Sequence, residues 1–408
     1  MKNPTRVLIM LFLAFVLFNA CEDYVTNIDP LIDAVEDERL STEKQLNFVI
    51  NGVKTKYAQV QDDINFLSGL LSDELIYSAN LQGASFPSYQ EINEGVIELD
   101  NNSVDAVFNP LGELRFFADD LIRRTNEVNP NDAALKNKAL FNGNLYGGIA
   151  RYFYASYFGL TETQGGGVID NGPFIPSTDM YALAIGKFEE ALNYVDSDYE
   201  SRVLHTWIAK CYLALKDYTR TAVQANQGLQ EGDAPFQALY SPDLANGWWG
   251  FAGAGRVQIG VDFRFKDYID ANPEEANRII ILPTPAIDPN QVQPYGTYFR
   301  QAIYEEQSSP INVLTWQENH LIRAEMVLHG TGSGDALALV NAVRASHNIS
   351  PLGSIDLEGL FVEREKELFT KGTRLIDQHR LDRWHLGTGT WRYLPITRRE
   401  RANNPNID

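Results

Sequence analysis

The chain has 408 residues, 44% of them hydrophobic, with 54 acidic against 34 basic side chains and a formal net charge of −20. That length provides an ample core for one or two domains. So acidic a surface repels phosphate backbones and excludes nucleic acid as a partner.

The first segment, 1–20, carries Lys2 and Arg6, then an uncharged apolar run over 7–18, then the small residue Ala20. This order is that of a secretory signal peptide. The run is too short to cross a hydrocarbon core of ~30 Å. "LFNAC" resembles a relaxed bacterial lipobox, which makes Cys21 the lipid-attachment residue, and Glu22 and Asp23 resemble the surface-export signal of Bacteroidota lipoproteins. Loss of Lys2 and Arg6 with the signal moves the net charge to −22. The chain has only one other cysteine, Cys211, so no intrachain disulfide remains once Cys21 is acylated. Anchoring then rests on lipid alone, and it takes more than one acyl chain to be stable.

Residues 21–40 are polar and acidic and read as a tether. Residues 41–78 carry a mostly helical pattern, followed by the irregular stretch "SANLQGASFPSYQEINEG". Helices are predicted over 105–128, with Pro110 in the first turn or at a break, and over 132–158, where aromatic residues recur at helical spacing. The glycine run of "LTETQGGGVIDNGPFIPST" marks a loop. Segments 181–195 and 216–230 share an alanine-rich pattern at an offset of 35 residues, near the tetratricopeptide period. Ala184, Ala191, Ala222 and Ala225 let paired helices approach closely, and residues 179–230 are expected to form two helix hairpins. Cys211, inside "WIAKCYLAL", reads as a buried thiol. Proline-rich residues 231–314 interrupt the repeats as loops, short helices and a strand in "RVQIGVDFRF". Helical patterns resume over 315–330, 334–349 and 356–385, ahead of an extended tail. The fold class is therefore mainly α, with helical repeats over about 105–230 and 315–385 around a loop-rich insertion; residues 41–408 are expected to form one domain.

Candidate chemistry is sparse. Glu363, Arg364, Glu367, Arg374, Asp377, Arg380 and Arg383 are mostly three or four apart and suit ion pairs within and between helices better than a catalytic pair. The six histidines show no metal-ligand spacing, so no metal and no cofactor is expected. "GFAGAGR" lacks the lysine and Ser/Thr of a phosphate loop. The aromatic residues outside the repeats are more informative. Trp248, Trp249 and Phe251 lie among glycines with little helical pattern, and Tyr77, Asn80, Phe86 and Tyr89 form a second polar–aromatic loop. Flat rings stack on the C–H faces of sugars while amides bind hydroxyls; alternatively, the tryptophans plug the insertion onto the helical scaffold. The first reading places Trp248 and Trp249 at an exposed shallow site.

Several stretches carry a family resemblance. "NLYGGIARYFYASYFG", "ENHLIRAEMVLHGTGSGDALALVNAVRAS", "VEREKELFTKGTRLIDQHRLDRW" and "YLPITRRERANNPN" resemble, in order, motifs of the SusD/RagB family of outer-membrane nutrient-binding lipoproteins, with Thr397 in place of a usual proline and Lys371 in place of a usual glutamate. The resemblance implies a SusD-like α–α superhelix and a cell-surface lipoprotein on the outer membrane. Such a protein would capture a glycan or other oligomeric nutrient and deliver it to a SusC-like TonB-dependent transporter, without catalysis. It also implies glycan contacts from the early loop region and from the insertion. A lipid-anchored polysaccharide hydrolase and a helical-repeat protein-interaction scaffold are the alternatives.

Overall fold

The computed structural model describes residues 40–407. The signal segment, Cys21 and nearly all of the acidic tether lie outside the described residues. Among the described residues no helix is long and apolar enough to cross a membrane.

The architecture is mainly helical. The first helix, α1 (Leu46–Leu71), precedes the short α2 (Pro87–Glu94), then α3 (Asn102–Val128) and α4 (Ala133–Tyr157). Asn101 starts α3 by accepting the N–H groups of Ser103 and Val104, and Asp132 does the same for α4 at Ala134 and Leu135. Pro110 lies inside α3 and the helix runs through it. The carbonyl that its ring leaves without a partner belongs to Ala106, which faces solvent. Every residue of α4 from Ala139 to Tyr157 is buried, so α4 is the central rod. It packs between α1 and α3 on one side and α5 (Ser177–Ala191) on the other. Gly148 permits the α4–α5 approach, because a Cβ there would sit 2.5 Å from Phe188 Cε1.

The repeat reading holds for its alanines and changes in its pairing. Ala184, Ala191, Ala222 and Ala225 are all buried. Residues 179–230, however, form three helices rather than four: α5, α6 (Asp198–Ala214) and the short α7 (Tyr218–Ala225). The next partner of α7 is α10 (Trp316–Leu328), beyond the insertion. Ala222 and Ala225 pack there with Ala209, Leu213, Ile322 and Met326. The insertion itself contains α8 (Gly247–Ala252) and α9 (Phe263–Ala271). The expected 356–385 helix is broken into α12 (Leu357–Glu367) and α13 (Thr373–Arg380), with Thr370 and Gly372 at φ of 69° and 72° between them; α11 (Ala336–Ser346) precedes them. The tail is not simply extended, since it ends in α14 (Arg398–Asn403).

Among the described residues there are five two-stranded sheets, three of which stitch distant segments together. Antiparallel pairs join β1 (Leu75–Ile76) to β6 (Gly260–Val261), β3 (Gly166–Gly167) to β4 (Ile175–Pro176), β5 (Phe236–Ala238) to β9 (Ile311–Leu314), and β7 (Ile281–Thr284) to β8 (Tyr298–Gln301). The tail strand β10 (Leu394–Pro395) runs parallel to β2 (Phe158–Gly159) at the end of α4.

The charged residues of the last helices form buried ion pairs. Glu363 accepts from Arg278 at 2.8 Å and from Arg344 at 2.9 Å. Asp377 bridges Arg364 at 2.9 Å and Arg380 at 2.7 Å, and Arg380 reaches Glu325 Oε2 at 2.9 Å. Most of these pairs link separate elements, including the insertion, rather than neighbours three or four apart. Arg364 and Arg380 hold the Asp377 carboxyl well below its ordinary range against the opposing effect of burial.

Candidate functional site

The two regions singled out in the sequence are assembled into one face. Strand β1 leads from α1 into loop 77–86, and its pairing with β6 lays that loop along the insertion. Asn80 anchors it: its Nδ2 donates to the Asp288 carbonyl at 3.0 Å, and its Oδ1 accepts the Asp288 N–H at 2.8 Å. Tyr298 donates its hydroxyl to Ser78 Oγ at 2.7 Å, and Ser85 Oγ donates to Gln258 Oε1 at 3.1 Å. Gly83 lies so close to the insertion that a Cβ would sit 2.0 Å from the Val257 carbonyl oxygen. Arg256 closes the seam, with Nε donating to the Gly83 carbonyl at 3.0 Å.

Helix α8 supplies the aromatic part. "GWWGFA" is helical, contrary to the expectation of a segment with little helical pattern. Asn246 caps it by accepting the Trp248 N–H at 2.8 Å, while its own Nδ2 donates to the Ser309 carbonyl. The Gly247 N–H donates to Asp62 Oδ2 at 2.6 Å, tying α8 to α1. Burial and then the adjacent Asp63 charge push the Asp62 carboxyl well above its usual range, and burial pushes Asp63 up to about 7. Asp62 is enclosed beneath Gly247, so this pair does not present two carboxylates to a bond lying on the face.

The tryptophans have opposite fates. Trp248 is completely buried, edge-on to Phe66 at 6.4 Å and 6.2 Å from Tyr304, so the expectation of an exposed stacking ring is corrected. One turn of helix explains it: successive residues diverge by about 100° around the axis, and the inward direction falls on Trp248. Its neighbour Trp249 is half-buried and packs into none of the hydrophobic clusters. Tyr89 is likewise core, with its ring 6.1 Å from Phe66, which corrects its assignment as a ligand contact. Tyr77, Phe86 and Phe251 are half-buried rings packed against the core; Phe251 leans on Phe66 at 5.6 Å and Phe86 on Tyr89 at 5.5 Å. Asn80 is half-buried and commits its amide to the loop anchor.

The face therefore offers four half-buried rings, of which Trp249 alone packs into no hydrophobic cluster, and the polar side chains of Gln82, Ser85 and Arg256, all exposed. It also includes the β7–β8 turn, whose Ile287 is 67% exposed. Arg256 and that turn were not singled out from sequence. The crowding of prolines at Pro283, Pro285, Pro289 and Pro294 was the available sign of a tight turn there. The ring can cover the C–H faces of a sugar, and the amide, hydroxyl and guanidinium can pair with hydroxyls.

No protein-family model matches the sequence, and no curated protein matches it either. Solved structures do match. A SusD superfamily protein from Bacteroides thetaiotaomicron superposes with a TM-score of 0.74 at 14% identity, over 90% of this chain and 99% of that one. Another from Bacteroides vulgatus gives 0.72 at 16% identity, over 90% and 98%. A laminarin-binding SusD-like protein gives 0.69 at 14% identity, again over 90% and 98%. The chain has the fold of the SusD superfamily.

Proposed function

We propose that this protein is a glycan-capture lipoprotein of the SusD type. It holds an oligosaccharide on the face built from loop 77–86, α8 and the β7–β8 turn, with Trp249 as the stacking ring. Tethered to the outer membrane through Cys21 and facing outward, it passes the sugar to a SusC-like TonB-dependent transporter. Capture and release require no catalysis. The carrying observation is Trp249: a half-buried ring outside every hydrophobic cluster, on a face stitched together from two distant regions of a SusD fold. A similar structure described as laminarin-binding supports a glycan as the ligand class.

Affinity electrophoresis of the mature protein through gels containing laminarin, xyloglucan or other neutral glucans tests this reading, together with an assay for new reducing ends. The expected result is retardation by at least one glycan without cleavage. Trp249→Ala should weaken it roughly 5- to 150-fold, since a stacked ring contributes ~1–3 kcal/mol by analogy with base stacking. Retardation unchanged in Trp249→Ala would displace the site, and released reducing ends would make the protein a hydrolase. Loss of metabolic acyl label in Cys21→Ala checks the anchor.

A further inference from the structure

A second concavity lies away from the Trp249 face. It opens between the first half of α1, the first half of α4 and the start of α6, with a volume of about 870 Å³. That is within the range of small-ligand sites, roughly 300–1,000 Å³. Phe141, Leu145, Tyr146 and Phe236 are among its lining residues, with Tyr146 buried.

The charges at its mouth are not balanced in the manner of the rest of the molecule. Lys54, on α1, and Lys138, on α4, both line it, and among the described residues neither has a carboxylate within ion-pair distance. Among the described residues, Lys138 Nζ has only the Asn47 amide oxygen, at 3.3 Å. The walls of the cleft, and next the Lys138 charge, push the Lys54 ammonium below its ordinary value, with Glu200 opposing. Three acids also line the cleft. Two are committed to backbone: Asp132 accepts from Ala134 and Leu135 as the cap of α4, and Glu200 accepts the Asp196 N–H at 2.7 Å. Asp196 is exposed at the rim. The lining as a whole is not positive, but Lys54 and Lys138 repel each other and lack a direct carboxylate partner among the described residues, and a carboxylate seated between the two ammonium groups relieves that repulsion.

The neutral lining restricts which anion fits. The Tyr146 and Tyr199 hydroxyls have no hydrogen-bond partner among the described residues, and neither has the Asn137 carboxamide. Aromatic rings below and free hydroxyls and an amide around them match a polyhydroxylated ring; an alkyl-chain acid would leave those polar groups unsatisfied. We propose that this cleft is a second binding site, specific for a sugar residue bearing a carboxylate, a uronic acid. Lys54 and Lys138 take the carboxylate, and the tyrosine and asparagine groups take the hydroxyls. The site extends the glycan-binding reading but uses none of the Trp249 face.

Titration calorimetry of the mature protein with tetragalacturonate at low salt, against the carboxyl-reduced neutral tetramer, tests the proposal. Binding of the uronate is expected, at least tenfold tighter than the neutral tetramer and weakening as salt is raised. Lys54→Gln and Lys138→Gln should each reduce it about tenfold, and Trp249→Ala should leave it intact. Both lysines are exposed side chains, so an unchanged melting temperature verifies that the variants fold. No uronate binding, equal binding of the reduced tetramer, or uronate binding lost in Trp249→Ala but not in the lysine variants would each overturn the proposal. Because neutral-glycan retention is read separately, failure of this site and failure of the Trp249 face are distinguishable.

Discussion

Trp248 and Trp249 are adjacent in sequence and should behave oppositely on truncation. Trp248 is completely buried against Phe66 and Tyr304, and its backbone carbonyl accepts from Gln301 at 3.0 Å. Removing a buried large aromatic side chain costs ~3–5 kcal/mol from lost transfer energy and the cavity left behind. One feature lowers that figure: the indole Nε1 is buried without a hydrogen-bond partner, a group that itself costs ~1–3 kcal/mol to keep dry. Trp248→Ala should therefore destabilise by about 2–4 kcal/mol. Trp248→Phe keeps most of the ring contact and removes the orphan donor, so its cost should fall below about 1.5 kcal/mol. Trp249, half-buried and outside the core, should cost less than about 1 kcal/mol as alanine. Urea titrations followed by far-UV circular dichroism give all three from the midpoints, provided the slopes agree. Trp248→Ala within 0.5 kcal/mol of the wild type, on the order of the scatter for surface sites, would refute the assignment of this ring to the core.

Ala222→Leu should cost ~1–3 kcal/mol by overpacking the α7–α10 contact at Ile322 and Met326, read as a lowered thermal midpoint. Glu363→Gln should cost ~1–3 kcal/mol in the same measurement, because Arg278 and Arg344 lose a buried charged acceptor while Glu275 still pairs with both. His379 carries a pH dependence. Burial depresses its folded-state value to about 4, while its Nε2 lies 2.7 Å from the Arg392 carbonyl. The unfolded chain takes up the proton near 6.5 and the folded one does not, so stability is lost as pH falls from about 6.5 to about 4, by up to ~1.4 kcal/mol per pH unit. His379→Gln should flatten that limb of a stability–pH curve.

The helical scaffold was legible because its signals are local. Asp132 announces a helix start, whereas α3 begins at its Asn101 cap, ahead of the expected start at 105, and the spacing of Ala184, Ala191, Ala222 and Ala225 announces close packing. What sequence could not supply was the partner across a long gap. Nothing within 179–230 says that α7 packs on α10, because 90 residues of insertion separate them in the chain. The site shows the same division. Glycan contacts were expected from loop 77–86 and from the insertion, and the Asn80–Asp288 pair fastens those two regions together. Trp248 and Trp249 could not be told apart from their glycine-rich setting. The distinction comes from a single helical turn, too short to show a period.

Helix α1 also sets a schedule for the growing chain. Asn65 donates to the Thr370 carbonyl, Gln378 donates to the Ser72 carbonyl, and Glu74 accepts the Thr370 N–H, across separations of 305, 306 and 296 residues. At synthesis rates of ~5–20 residues per second, the first helix waits about 15–60 s for the segment that completes its surroundings. Throughout that interval Glu74 lacks its backbone donor and one side of α1 lacks its cover. The nascent molecule thus keeps that side uncovered until Thr370 arrives, and a messenger truncated before Thr370 yields a product in which α1 stays unfinished.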